Sequence, residues 1–236
     1  MNSDIFAAGG YQPGDGMGML KGGGRSADTR ERLLEAAGET FAARGFRDAT
    51  VREISRRAGV NVAAVNYYFG DKEGLYSAVL KYTLDSALKK YPPDLGLEND
   101  ATAEDRLCAF IRSMLYRVTD EGRPAWHGKL MIREIAQPTK ALDEMVLTGF
   151  GPLHRSLTAI VRELAGAGGD EEQIRLCAMS ILGQCLYYHL CRPVLKALYA
   201  QSFDVPEIER LAGHIMRFSL NGLRVLRAKT DNPRTG

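Results

Sequence analysis

Residues 50–69 read TVREISRRAGVNVAAVNYYF. Thr50 and Glu53 have the spacing of a capping box, and Ile54 and Ala58 fall on the inner face of the helix they open. Gly59 stops that helix after about two turns, because a left-handed closing residue favours glycine. Asn61 then caps a second helix, Val62 to Tyr68. The linking turn is too short for the two helices to lie antiparallel, so they cross steeply and the second projects. The stretch is a helix-turn-helix.

The projecting helix has the chemistry of a DNA reader. Ala63 and Ala64 are small, which lets a helix backbone sit deep in a major groove about 12 Å wide. Asn66 carries an amide that can make the paired hydrogen bonds of an adenine edge. Tyr67, Tyr68 and Lys72 fall where this helix ends and the next begins, a position suited to phosphate contacts. The predicted DNA-contacting set is Thr50, Arg52, Asn61, Val62, Ala63, Ala64, Asn66, Tyr67, Tyr68 and Lys72. Plainer readings stand beside these: Asn61 as a cap, the tyrosines as core, and Arg56 and Arg57 as a solvated face.

Outward from this motif the chain reads as helix almost throughout. Ser26 or Asp28 caps a helix whose inner face is Leu33, Leu34, Ala37 and Phe41, ended by Gly45. Asp71 caps a helix with Leu75, Val79, Leu80, Leu84 and Leu88, ending before Pro92 and Pro93. Further helices are expected at 103–120, 124–136, 139–148 and 152–164. A long one follows at 170–200, kinked or broken by Pro193, and a last one at 206–228. No run alternates with period two and no hairpin dipeptide joins two such runs. The fold class is all-α.

Composition bounds the function. The 236 residues are 45% hydrophobic and 25% charged, which is globular, with a formal charge of only +2. Residues 25–90 hold twelve Lys and Arg against nine Asp and Glu, so the positive excess lies in the helix-turn-helix region. Residues 1–24 carry eight glycines and bury too little apolar area to order, so a flexible tail is expected there. The longest uncharged apolar run, Leu176 to Cys191, is short of the roughly 20 residues a bilayer requires. Four cysteines without a regular framework fit a reducing cytoplasm, and no secretory signal opens the chain. No GxSxG, Walker loop, HExxH or dinucleotide fingerprint is present, so no enzyme and no cofactor is expected.

The run TRERLLEAAGETFAARGFRDATVREISRRAGVNVAAVNYYFGDKEGLY carries a resemblance that extends well beyond a generic two-helix motif. With Gly45-Phe46, Ala58-Gly59-Val60, Tyr68-Phe69 and Lys72-Glu73-Gly74-Leu75, residues 26–82 resemble the N-terminal domain of TetR-family transcriptional regulators. Many members have tyrosine where this chain has Asn66, so a base-contacting asparagine belongs to a subgroup. Arg133-Glu134, residues 138–142, Gly151-Pro152-Leu153 and residues 181–185 are similar to the C-terminal domain of CecR-like members.

The resemblance implies three parts: a tail at 1–25, a three-helix helix-turn-helix DNA-binding domain at 26–86, and a larger helical effector-binding and dimerisation domain at 87–230. It implies a cytoplasmic homodimer, joined through the last two long helices, that represses transcription from a pseudo-palindromic operator in double-stranded DNA. A small-molecule effector would release it. Trp126, His127, Met131, Arg133, Glu134, Met145, Phe150, His154 and Tyr188 are the candidates to line its pocket, or else pack as ordinary core. Arg133 and Glu134 can equally form a structural ion pair. The alternative is a metal- or thiol-redox-sensing regulator using Cys177, Cys185 and Cys191, with His189 one turn from Cys185.

The 170–200 helix lacks charge from Leu176 to Cys191, and the last helix has Ile208, Leu211, Ala212, Ile215, Phe218, Leu223 and Leu226 on one broad side. Either both are buried within one subunit, or they meet their symmetry mates as a four-helix interface.

Overall fold

The computed structural model describes residues 22–120, 124–200 and 202–231. Among these residues there is no strand. The elements are α1 (Gly22–Asp48), α2 (Val51–Ala58), α3 (Val62–Phe69), α4 (Lys72–Lys90), α5 (Ala103–Thr119) and α6 (Trp126–Ala136). They continue as α7 (Ala141–Met145), a π turn (Val146–Phe150), α8 (Gly151–Ala165), α9 (Glu171–Leu190), α10 (Arg192–Tyr199) and α11 (Val205–Asp231).

Local chemistry sets most of these boundaries. The side chain of Asp71 accepts from the Gly74 amide at 2.7 Å and opens α4. Thr102 and Asp105 cap α5 reciprocally. Asp170 accepts from Gln173 at 2.7 Å and opens α9.

Two boundaries differ from expectation, and a third, the break at Pro193, is as expected. First, α1 begins at Gly22, so neither Ser26 nor Asp28 is its cap. Asp28 instead faces Arg32 one turn on, at 3.6 Å. The expected tail at 1–25 lies outside the described residues except for the helical backbone of 22–25. Second, the expected break between 148 and 152 is not a break. Helix α7 runs through the π turn into α8, and the Gly151 amide bonds back five residues to the Val146 carbonyl. The wider π register gives room for Pro152, whose ring would crowd a regular turn. Third, the 170–200 helix ends at Leu190, and Pro193 enters the first turn of α10, where its missing N–H costs nothing.

The buried side chains form two cores. The first contains Leu33, Leu34, Phe41, Ile54, Val65, Leu75, Val79 and Leu80 from α1–α4. It also takes in Trp126 and Leu130 of α6, Ala141 of α7 and Met145. The second joins α5, α8, α9 and α11 through Leu107, Phe110, Ile111, Leu115, Leu157, Val161, Ile174, Ala178, Ile181, Leu211 and Ile215. Each fully buried aliphatic side chain stabilises by about 1.5–3 kcal/mol. At the edge of the second core Glu209 of α11 accepts from Tyr116 at 2.6 Å and from Arg112 at 2.8 and 2.9 Å, tying α11 to α5. Burial and the Glu209 carboxylate push the Tyr116 phenol up to about 12.

The broad apolar side expected on the last helix faces inward. Ile208, Leu211, Ala212, Ile215 and Leu223 are buried in the chain's own second core, whereas Phe218 is 65% exposed. A different stripe stays outward. On α9 it is Leu176, Met179, Tyr187 and Leu190, and on α11 Phe218 and Val225. The two helices pack against one another.

Candidate nucleic-acid interface

Helix α3 is held by a narrow edge and displays the rest. Val65 is its one fully buried side chain, and Ala64, Tyr68 and Phe69 lean on the first core. Asn61, Val62, Ala63, Asn66 and Tyr67 are exposed, Tyr67 by 80%. Ala64 departs from expectation: it is half-buried against the core, so Ala63 alone provides the small outward position.

The turn before α3 is fixed from several directions. Thr50 accepts from the Glu53 amide at 3.2 Å, but the expected reciprocal half of the capping box is absent. The Glu53 carboxylate pairs instead with Arg44 of α1 at 3.0 Å. Gly59 has φ 66° and ψ 36°, the left-handed conformation that glycine adopts without strain. The Arg32 guanidinium donates to the carbonyls of Ala58 and of Gly59, placing positive charge at the negative end of α2. Asn61 Oδ1 accepts from the Ala63 amide at 2.8 Å, so Asn61 is a cap in this state. Thr50 and Arg52 are exposed at the start of α2. Of the two neighbouring arginines Arg56 is exposed, while Arg57 pairs with Glu39 at 3.3 Å.

The far end of α3 is built from aromatic rings and hydroxyls. Tyr67 and Tyr68 meet edge to face, centroids 4.9 Å apart. The Tyr68 hydroxyl shares a hydrogen bond of 2.9 Å with the hydroxyl of Ser26. Lys72 is half-buried; its Nζ donates to the Arg47 carbonyl at 3.1 Å and sits 4.8 Å from the centroid of the Phe46 ring. An ammonium carries three donors, so this contact positions Lys72 and leaves donors for an anion. Ser26, Arg30 and Arg32 are the residues here that sequence reading missed. The available signal was that Ser26 and Arg30, four residues apart, share a helix face.

The nine pocket candidates do not all come together. Trp126 packs so closely on α1 that a β-carbon at Gly38 would overlap its ring. His127 is buried beside it, with the Tyr82 ring 6.1 Å away. Burial, and the hydrogen bond to Glu35, push the Tyr82 phenol up to about 12. Arg133 donates to the carbonyls of Ala42 and Ala43 near the end of α1, at 3.3 and 3.5 Å. Glu134 is buried and accepts from the Tyr76 hydroxyl at 2.8 Å and from the Thr139 amide and hydroxyl at 2.8 and 3.0 Å. Arg133 and Glu134 thus bond in different directions, and the expected ion pair is not formed. Met131, Met145 and Phe150 belong to the first core. His154 faces Thr158 at 3.3 Å, and Tyr188 leans on the second core. Seven of the nine therefore stitch α6, α7 and the π turn to the helix-turn-helix unit, and two lie apart.

Two of the three cysteines of the sensing alternative are not set up as thiolates. Burial pushes the Cys185 thiol up to about 12 and raises that of Cys177 as well, which disfavours the form that reacts and binds metal. Among the described residues no group of three or more His, Cys, Asp and Glu side chains is placed to hold a metal ion. No helix among them is long and apolar enough to cross a membrane.

A helix-turn-helix displayed in this way on a two-core helical body is the architecture of a DNA-binding regulator. Residues 33–79 match the family of bacterial regulatory proteins, tetR family, and residues 103–223 match the HTH-type transcriptional dual regulator CecR, C-terminal domain. The chain belongs to the TetR family of transcriptional regulators, DNA-binding proteins that are not enzymes, and carries a C-terminal domain of the CecR type. It is 26% identical to the HTH-type transcriptional dual regulator CecR of Shigella flexneri over 70% of this chain and 78% of that protein. It is 34% identical to the uncharacterized HTH-type transcriptional regulator TtgW of Pseudomonas putida, over 40% of this chain and 78% of that protein. A transcriptional regulator from Rhodococcus sp. Rha1 shares the fold with a TM-score of 0.58 at 23% identity, over 82% of this chain and 96% of that one.

Proposed function

We propose that this chain is a cytoplasmic, ligand-responsive repressor that binds a pseudo-palindromic operator as a homodimer. The observation that carries the reading is the outward display of α3, with Asn66 and Tyr67 exposed and Val65 alone fully buried. Asn66 reads a base edge, Val62 and Ala63 admit the helix to the groove, and Tyr67, Tyr68 and Lys72 hold phosphates on either side. Thr50, Arg52 and Asn61 complete the contact set from the entry to α2 and α3.

The outward apolar stripe of α9 and α11 supports a two-fold interface, since a helix of a monomer would present a polar stripe to water. Two units so joined read half-sites in successive turns of the same groove face.

The effector acts on the C-terminal half. Its hold on the reading unit runs through the α6 seam, where Trp126, Arg133 and Glu134 grip α1 and α4. The buried indole N–H of Trp126 has no hydrogen-bond acceptor among the described residues, which supports a polar ligand at this seam. An effector with higher affinity for a shifted seam moves the two reading units out of register with the operator.

The test is a salt titration of DNA affinity. Lys72→Ala weakens binding to all duplexes and takes about one off the logarithmic salt slope for each half-site. Tyr68→Phe weakens binding modestly with the slope kept. Asn66→Ala lowers affinity for the selected operator by about 1–3 kcal/mol and relaxes preference at one base pair, with little change on unrelated DNA. Unchanged slopes and unchanged preference across all three variants would refute the reading.

A further inference from the structure

The first turns of α1 touch the end of the recognition helix. Ser26 Oγ lies 2.9 Å from the Tyr68 hydroxyl, and the Arg30 guanidinium carbon lies 5.5 Å from the centroid of the Phe69 ring. Ser26 and Arg30 are four residues apart, so both project from the same face of α1. Both are exposed. The nearby acid Asp28 lies on another side of the helix, against Arg32. With Tyr67 packed on the half-buried Tyr68, a continuous ridge runs from the exposed Asn66 and Tyr67 through Tyr68 to the exposed Ser26 and Arg30. It ends on a guanidinium, whose planar fork bonds phosphate oxygens in pairs.

We infer that Ser26 and Arg30 of α1 are additional DNA contacts, gripping the phosphate backbone beyond the edge of the groove that α3 enters. The inference rests on the DNA-binding reading above and extends it: each protomer's footprint is longer than the helix-turn-helix alone would give. Continuity with α3 and the opposite charge of the backbone argue for DNA as the occupant. Stacking on Phe69 holds the Arg30 side chain close to its bound position, so little side-chain freedom is lost on contact.

The experiment uses the full chain with Arg30→Ala, Arg30→Lys and Lys72→Ala. The probe is a duplex that the wild-type protein selects from random-sequence DNA, titrated across a salt series and mapped by hydroxyl-radical footprinting. Arg30→Ala is expected to take about one off the salt slope per half-site. For a dimer, the ratio of wild-type to variant affinity then grows about tenfold between about 200 and about 50 mM salt. The outermost protected sugars on each side become accessible, while Arg30→Lys keeps most of the slope. Thermal melting reports separately on the stacking with Phe69. A melting shift with slope and footprint unchanged overturns the inference, and the DNA-binding reading survives if Lys72→Ala still lowers the slope. If neither Arg30→Ala nor Lys72→Ala changes the slope, both fall.

Discussion

Gly183→Arg is expected to turn the proposed homodimer into a folded monomer whose affinity for the selected operator is about 100-fold weaker or worse. Gly183 lies on α9 in the middle of the outward stripe, between Met179 and Tyr187, and a β-carbon there meets nothing within 4 Å. Within one chain the substitution is harmless, and arginine is the better helix former by roughly 0.8 kcal/mol. Across a two-fold axis the same side chain brings its own copy towards it, adding bulk and like charge where Leu176, Met179 and Phe218 are to be covered. A monomer engages one half-site, and the avidity of the linked pair, about 100- to 10,000-fold, disappears. Sedimentation gives the mass, circular dichroism checks the helix content, and a gel-shift titration gives the affinity. A dimer that persists with wild-type DNA affinity would remove the stripe from the proposed interface.

The second large effect is expected at the α6 seam. Trp126→Ala is predicted to cost about 3–5 kcal/mol, the range for deleting a large buried aromatic side chain. The ring is buried against Gly38 in the middle of α1, so its loss leaves a void along the junction of α1 and α6. The melting midpoint then falls by on the order of 10 °C. Gly38→Val should act in the same direction from the other side, because its side chain would occupy the space of the ring. In the variant that still folds, DNA affinity and effector response are expected to uncouple, since α6 no longer holds α1 in one position. A Trp126→Ala protein that melts as the wild type does would show that the ring contributes little to this junction.

The fold was legible where short-range chemistry decides it. Thr50, Asn61, Asp71 and Gly59 each act within a few residues of themselves, and the structure gives each the capping or closing role read from sequence. The capping box at Thr50 was half right because its acid had a better partner far along the chain: Arg44 competes for Glu53. Ser26 was misassigned because α1 starts a turn earlier, at Gly22, and its hydroxyl bonds Tyr68, 42 residues away. The break expected before Pro152 did not occur because a π turn absorbs the ring, an option that periodicity does not reveal.

The outward face of α3 was legible because exposed small and polar residues beside a narrow buried edge are written locally in 61–68. The packing of the pocket candidates was not. Large aromatic and charged residues in 126–150 carry no mark telling a ligand wall from a tertiary seam, and here Glu134, Arg133 and Trp126 go to α4 and α1. The inward face of α11 stayed open between core and interface because two apolar sides of one helix compete in sequence. Only packing reveals that Ile208, Leu211 and Ile215 go to the core while Phe218 and Val225 do not.

The first core takes Trp126, Leu130, Ala141 and Met145 from beyond residue 120. A chimera that grafts a foreign reading head by cutting at the end of α4 would therefore leave the recipient's own side chains pressed against a stranger's α1. To transplant operator choice between relatives, the donor's α6 and α7 should travel with its head, or the graft should be limited to the outward residues of α3.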